Sequence, residues 1–179
     1  MKRVGTLVAS HSFLIVLLVP LLFLGSMLVV PGITLLSGTS VTLKTIPLDP
    51  RDLFYGDHVN LQFEASQVSI NKADKDVLTT LKNRSSDTVS VFVEIVPDGD
   101  LYVVKQVTLH EPESGIYIKG EAYTSMEPNT IQVNYSFDVF YVEENKGLEL
   151  EELSRNGELI AELKVWRGHT ILQKVAPIR

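Results

Sequence analysis

Three aspartates and one histidine crowd a short stretch of this chain, at Asp49, Asp52, Asp57 and His58. Oxygen-rich clusters of that kind bind hard divalent cations. The same residue types cap turns and pair with arginine, and Arg51 stands among them, so turn capping with Asp–Arg51 pairing is expected and no metal is assigned. His11, His110 and His169 are scattered without ligand spacing, as isolated surface or boundary histidines are. Glu143, Glu144, Glu149, Glu151 and Glu152 form an acidic cluster that could meet a basic partner, but a solvated helix face is the expected reading. The chain has no cysteine, which excludes thiol nucleophiles, disulfide scaffolds, zinc fingers and iron–sulfur sites. No catalytic residue and no cofactor is expected.

The elements that must carry these residues begin with a membrane segment. Residues 4–43 contain no Asp, Glu, Lys or Arg, and residues 13–36 are almost continuous Leu, Val, Ile, Phe and Met. As helix, residues 13–36 extend about 36 Å, enough for a hydrocarbon layer of ~30 Å with some tilt. A cleaved signal peptide shares the basic start at Lys2 and Arg3, but its apolar core is usually about 7–15 residues long and ends in a small-x-small site. Ser37, Gly38 and Thr39 make no clear site of that kind, so an uncleaved anchor is expected. Pro20, Pro31 and Gly32 are expected to kink this helix or to shorten it at its outer end. Lys2 and Arg3 keep the amino terminus inside and export the remainder.

Of the 179 residues, 16 are Lys or Arg and 22 are Asp or Glu, a formal net charge of −6. That balance argues against wrapping nucleic acid, which requires clustered cations. The exported part is more acidic still, and no polybasic patch for lipid headgroups is expected on it. The resulting organisation is a short cytoplasmic segment at 1–12, a transmembrane helix at 13–36, a linker at 37–45 and an extracytoplasmic domain at 46–179.

Within that domain the hydrophobic period is mostly two. Residues 59–63, 89–96, 101–109, 116–122 and 131–142 read as strands, and Asp98-Gly99 predicts a hairpin with a type I′ turn. Residues 159–166 and 170–175, joined through Arg167-Gly168, predict a closing hairpin. Trp166 and the strand aromatics are expected in the core. Two short helices are expected, at 73–82 with Val77, Leu78 and Leu81 on one face, and at 148–156 ending at Gly157. The fold class is therefore mostly β with minor α, one antiparallel domain behind one membrane helix.

The run from Pro47 to Phe63 resembles the bacterial GDYXXLXY family, whose Gly-Asp-Tyr-x-x-Leu-x-Tyr signature follows a Pro-x-Asp-Pro-Arg-Asp run. Asp49, Pro50, Arg51, Asp52, Gly56, Asp57 and Leu61 match, while His58 and Phe63 replace the two tyrosines. Losing both hydroxyls argues against an obligatory shared chemistry there. Phe140-Tyr141-Val142-Glu143, with Gly147 and Leu150-Glu151 beyond, is similar to a second segment of that family. The resemblance implies a membrane-anchored extracytoplasmic protein that tends to accompany multi-pass membrane proteins. All nine signature positions, Asp49 through Phe63, are expected to act as a structural or partner-binding motif.

A second resemblance would make the chain an enzyme. Leu53-x-x-Gly56-Asp57-x-Val59 is similar to the segment after the nucleophile of signal peptidases, and Tyr102-Val103-Val104-Lys105 is similar to the strand bearing their lysine base. A Ser–Lys dyad needs a hydroxyl ahead of the Gly-Asp pair and a desolvated lysine. No Ser or Thr lies between Thr45 and Gly56, so this resemblance implies at most the fold without the dyad. The expected function is an interaction module for a membrane or envelope partner. The alternative is a small-molecule or ion sensor, expected to act through a partner's membrane helices because only Met1, Lys2 and Arg3 precede the uncharged stretch.

Overall fold

The computed structural model describes residues 4–46, 58–83, 88–141 and 159–178. Helix α1, Val4–Ser37, continues through both Pro20 and Pro31, so neither proline shortens it. From Leu14 to Leu36 its apolar side chains are largely exposed, a surface that water does not tolerate and lipid does. Two of its hydroxyls bond back within the helix: Ser26 Oγ donates to the Phe23 carbonyl at 2.7 Å and Thr34 Oγ1 to the Val30 carbonyl at 2.9 Å. The Gly38 amide closes the helix on the Thr34 carbonyl at 3.0 Å.

The stretch expected as a linker at 37–45 is instead mostly strand β1, Thr39–Ile46. Val41, Leu43 and Thr45 point inward and Thr42, Lys44 and Ile46 are half-buried, the alternation a strand requires. β1 sits between β10, Leu159–Trp166, and β3, Gln62–Phe63, and β11, His169–Pro177, completes a four-stranded antiparallel sheet in the order β11-β10-β1-β3. Thr39 faces Val165 and Lys44 faces Ile160. The partner of β1 lies at the other end of the chain, so no turn signal marks the pairing.

The second sheet has five strands in the order β4-β8-β7-β5-β6: β4, Gln67–Ser69; β8, Thr130–Asn134; β7, Ile116–Thr124; β5, Val89–Asp98; and β6, Leu101–Thr108. The hairpin between β5 and β6 forms where Asp98-Gly99 predicts it, but one residue out of step. Asp98 pairs with Leu101, so Gly99 and Asp100 are the central turn residues. Positive φ is confined to Gly99, at +64°, the pattern of a type II′ turn. The β10–β11 turn is the type I′ one, with φ of 48° at Arg167 and 77° at Gly168.

Helix α2, Lys75–Asn83, buries Val77 and Leu81. It starts two residues later than expected because the Asp74 amide donates to the Val107 carbonyl and Ala73 bridges to the same residue. The strand expected at 59–63 divides. Its first part, β2, His58–Asn60, pairs with β9, Val139–Tyr141, whereas Phe63 pairs with Thr45 of β1. The strand expected at 131–142 divides into β8 and β9 in the same way, around Ser136 and Phe137. The helix expected at 148–156 lies outside the described residues. Both sheets line one core, in which Phe63, Leu43, Ile118, Leu159 and Leu163 are almost completely enclosed.

Candidate functional site

Asp49, Pro50, Arg51, Asp52, Gly56 and Asp57 lie outside the described residues, as do the glutamates of the acidic cluster. The flanks of both segments are described, and they are neighbours. The first leaves β1 after Ile46 and re-enters at His58; the second leaves β9 after Tyr141 and re-enters at Leu159. His58 pairs with Tyr141, and Thr45 Oγ1 donates to the Leu159 carbonyl at 2.9 Å. Each end of the signature segment is thus tied to an end of the other. The junction at Thr45 and Leu159 lies at the end of β1 remote from α1.

Within the signature, Leu61 and Phe63 are core residues. Leu61 is buried and its amide donates to the Asp138 carbonyl at 2.6 Å. Phe63 is fully enclosed, with its ring centroid 5.3 Å from that of Phe137 and 6.3 Å from that of Tyr135. Tyr135 and Phe137 stack at 5.1 Å. The Tyr135 hydroxyl donates to the Ala65 carbonyl at 2.6 Å, and burial pushes its pKa well above the usual tyrosine range. An enclosed phenylalanine at the second tyrosine position has no atom to offer chemistry. Tyr135 and Phe137 escaped the sequence reading as partners of Phe63; their period-two spacing was the signal available.

Among the described residues, the other groups singled out in the sequence do not converge on a reaction centre. Lys105 donates to buried Glu94 at 2.7 Å and its side chain is 52% exposed, which is an ion pair at the surface rather than the desolvated base of a Ser–Lys dyad. Among the described residues no three His, Asp or Glu side chains come together as metal ligands. Between β1 and β6 a cleft of about 220 Å³ is bordered by Lys44, Glu64, Lys72 and Tyr102, smaller than the ~300–1,000 Å³ usual for small-molecule sites. Lys72 is committed to the Val104 carbonyl at 2.7 Å.

A polar group that the sequence did not suggest lies beside α1. Tyr117 donates to Glu111, and its pKa is raised first by burial and then by that carboxylate, against a smaller lowering by nearby Arg167. Trp166, expected in the core, is instead half-buried at this end, with the Arg167 guanidinium 6.0 Å from its ring.

These features define an antiparallel β domain, with sheets of four, five and two strands among the described residues, on one helix that is long and apolar enough to span a membrane. The family model described as GDYXXLXY protein matches residues 20–175, and the chain belongs to that family. No curated protein and no solved structure matches it.

Proposed function

We propose that this is a membrane-anchored interaction module whose β domain lies on the extracytoplasmic side and offers its two signature segments to a membrane or envelope partner. It is a binding protein rather than an enzyme. The observation that carries this reading is the paired bracketing of the segments 47–57 and 142–158 by His58 with Tyr141 and by Thr45 with Leu159. The described ends of the two segments meet, and their sequence carries nine acidic against three basic residues, a charge imbalance that suits a basic partner surface. Lys2 and Arg3 favour the stated orientation. The test is photo-cross-linking in native membranes from probes placed at Asp49 and at Met126, the latter fully exposed on the loop between β7 and β8. One dominant adduct from position 49, absent from position 126, is expected. A ladder of unrelated adducts from both positions overturns the assignment, and labelling of position 126 from the cytoplasmic side overturns the topology.

A further inference from the structure

The end of the domain nearest α1 lies alongside the helix, not beyond it. Thr39 pairs with Val165, so the β10–β11 turn projects back past the helix end at Ser37. Gly168, His169 and Thr170 share a cleft of about 260 Å³ with Val30, Pro31 and Thr34. Thr34 is wholly buried there, although it belongs to an otherwise exposed apolar helix. From Ser37 back to Val30 is about 10 Å along the axis at ~1.5 Å per residue. A hydrocarbon layer reaching residue 36 would therefore engulf Arg167 and His169, both exposed, and Lys119, which lines the same cleft. Charged side chains are not left facing lipid tails.

We propose that the β10–β11 turn, together with Lys119, docks into the phospholipid headgroup layer, and that the hydrocarbon core covers residues 13–30 of α1 rather than 13–36. Residues 13–30 amount to about 27 Å of helix, within the ~17–25 residues that a span requires. Ser10, His11 and Ser12 mark the opposite boundary. The docking surface has interfacial chemistry: Trp166 offers an amphipathic ring, while Lys119 and Arg167 match lipid phosphates. Glu111 and Glu113 flank the turn on its other side, in a cleft with Ser37 and Trp166. These two carboxylates balance the two cations, so docking does not require anionic lipid. The inference rests on α1 spanning a bilayer and holds whichever side the domain faces.

Trp166 is the chain's one tryptophan and the chain has no cysteine, so two probes are unambiguous in the full-length protein reconstituted in phosphatidylcholine vesicles. Trp166 emission is expected to be quenched by lipids brominated near the headgroup and spared by those brominated at the tail end. Among single-cysteine variants, L36C is expected to react with a water-soluble maleimide and L22C to resist it. Emission untouched by shallow bromines, or L36C as protected as L22C, overturns the docking. Reactive L22C shows that α1 does not span at all, and the inference falls with the anchor. Lys119→Glu combined with Arg167→Glu is expected to lose the shallow quenching with circular dichroism unchanged. Quenching that survives this pair overturns the part given to those two residues.

Discussion

The two larger sheets differ in how their central strands find their partners. In the five-stranded sheet, β5, β6, β7 and β8 follow one another closely in the chain, and each of β6, β7 and β8 adds to its neighbours through a hairpin or a short connection. In the four-stranded sheet the central strand β1 comes from the amino-terminal side and its main partner β10 from the carboxyl-terminal end. Local pairing costs little loop entropy, while joining the two ends of a domain costs more and is rewarded only late. The anchor is attached to the non-local sheet. What α1 holds in place is therefore the part of the domain that depends most on the rest being complete.

The sharpest way to break this comparison is truncation. Residues 39–179 are expected to fold cooperatively without the helix, whereas residues 45–179, which lose Val41 and Leu43, are expected to show no cooperative thermal transition. Net stabilities of about 5–15 kcal/mol do not survive removal of a central strand. A fragment 45–179 that melts like 39–179 would mean that the five-stranded sheet is self-sufficient.

Leu43→Ala should cost about 2–5 kcal/mol, since its side chain is completely enclosed and truncation leaves a cavity. The loss should appear mainly as faster unfolding. Val93→Ala, in the middle of the local sheet and equally enclosed, should slow folding instead. Stopped-flow chevrons of the two variants decide, and identical kinetic signatures would remove the difference between the sheets.

Tyr135 joins the sheets, because it follows β8 and its hydroxyl binds the Ala65 carbonyl next to β3. Tyr135→Phe leaves that carbonyl without its donor and should cost about 1–3 kcal/mol. Its raised pKa has a further consequence. Above pH ~10 the unfolded chain loses the phenolic proton that the folded chain keeps, so stability should be level below that pH and fall above it by about 1.4 kcal/mol per pH unit for each such tyrosine. Tyr117, also raised, contributes in the same direction. Urea midpoints from pH 8 to 11 should show the fall, and a shallower one in Tyr135→Phe.

The two hairpin turns offer a finer contrast. A Cβ on Gly99 meets open space, whereas one on Gly168 would lie 2.7 Å from Tyr117 Cε2 and 2.9 Å from two Lys119 carbons. Both glycines have positive φ, for which alanine carries about 1–2 kcal/mol of strain. Gly168→Ala should exceed Gly99→Ala by about 1 kcal/mol or more through overpacking, read as the difference in melting temperature. The smallest effect is a gain. Thr170 Oγ1 is buried with no hydrogen-bond partner among the described residues, so Thr170→Val should be neutral or stabilising by up to about 1 kcal/mol in the same melts.

The legible parts of the fold were those whose signal is local. Alternation at 89–96 and 101–108 with Gly99 between them, and Arg167-Gly168 between two apolar runs, announce hairpins, because a turn and its flanks constrain each other directly. The candidate site was legible as a signature but not as a role. Leu61 and Phe63 look like motif residues in sequence and are core residues in space, for the rings that enclose Phe63 come from Tyr135 and Phe137, far along the chain.

The amino-acid sequence by itself determined the long apolar helix, the mostly β domain, the two hairpins and the family. The helix, the domain class and the hairpins follow from composition, period or turn chemistry within a few neighbouring residues, and the family from the resemblance of the signature. Tertiary structure alone decided that β1 is a central strand, that residues 58–63 divide between β9 and β1, and that the Trp166–His169 turn lies against the last turns of α1. A strand's period says which face is buried, but its partner is chosen by the lowest free energy over the whole chain. That choice is a property of the packed core rather than of any segment in it.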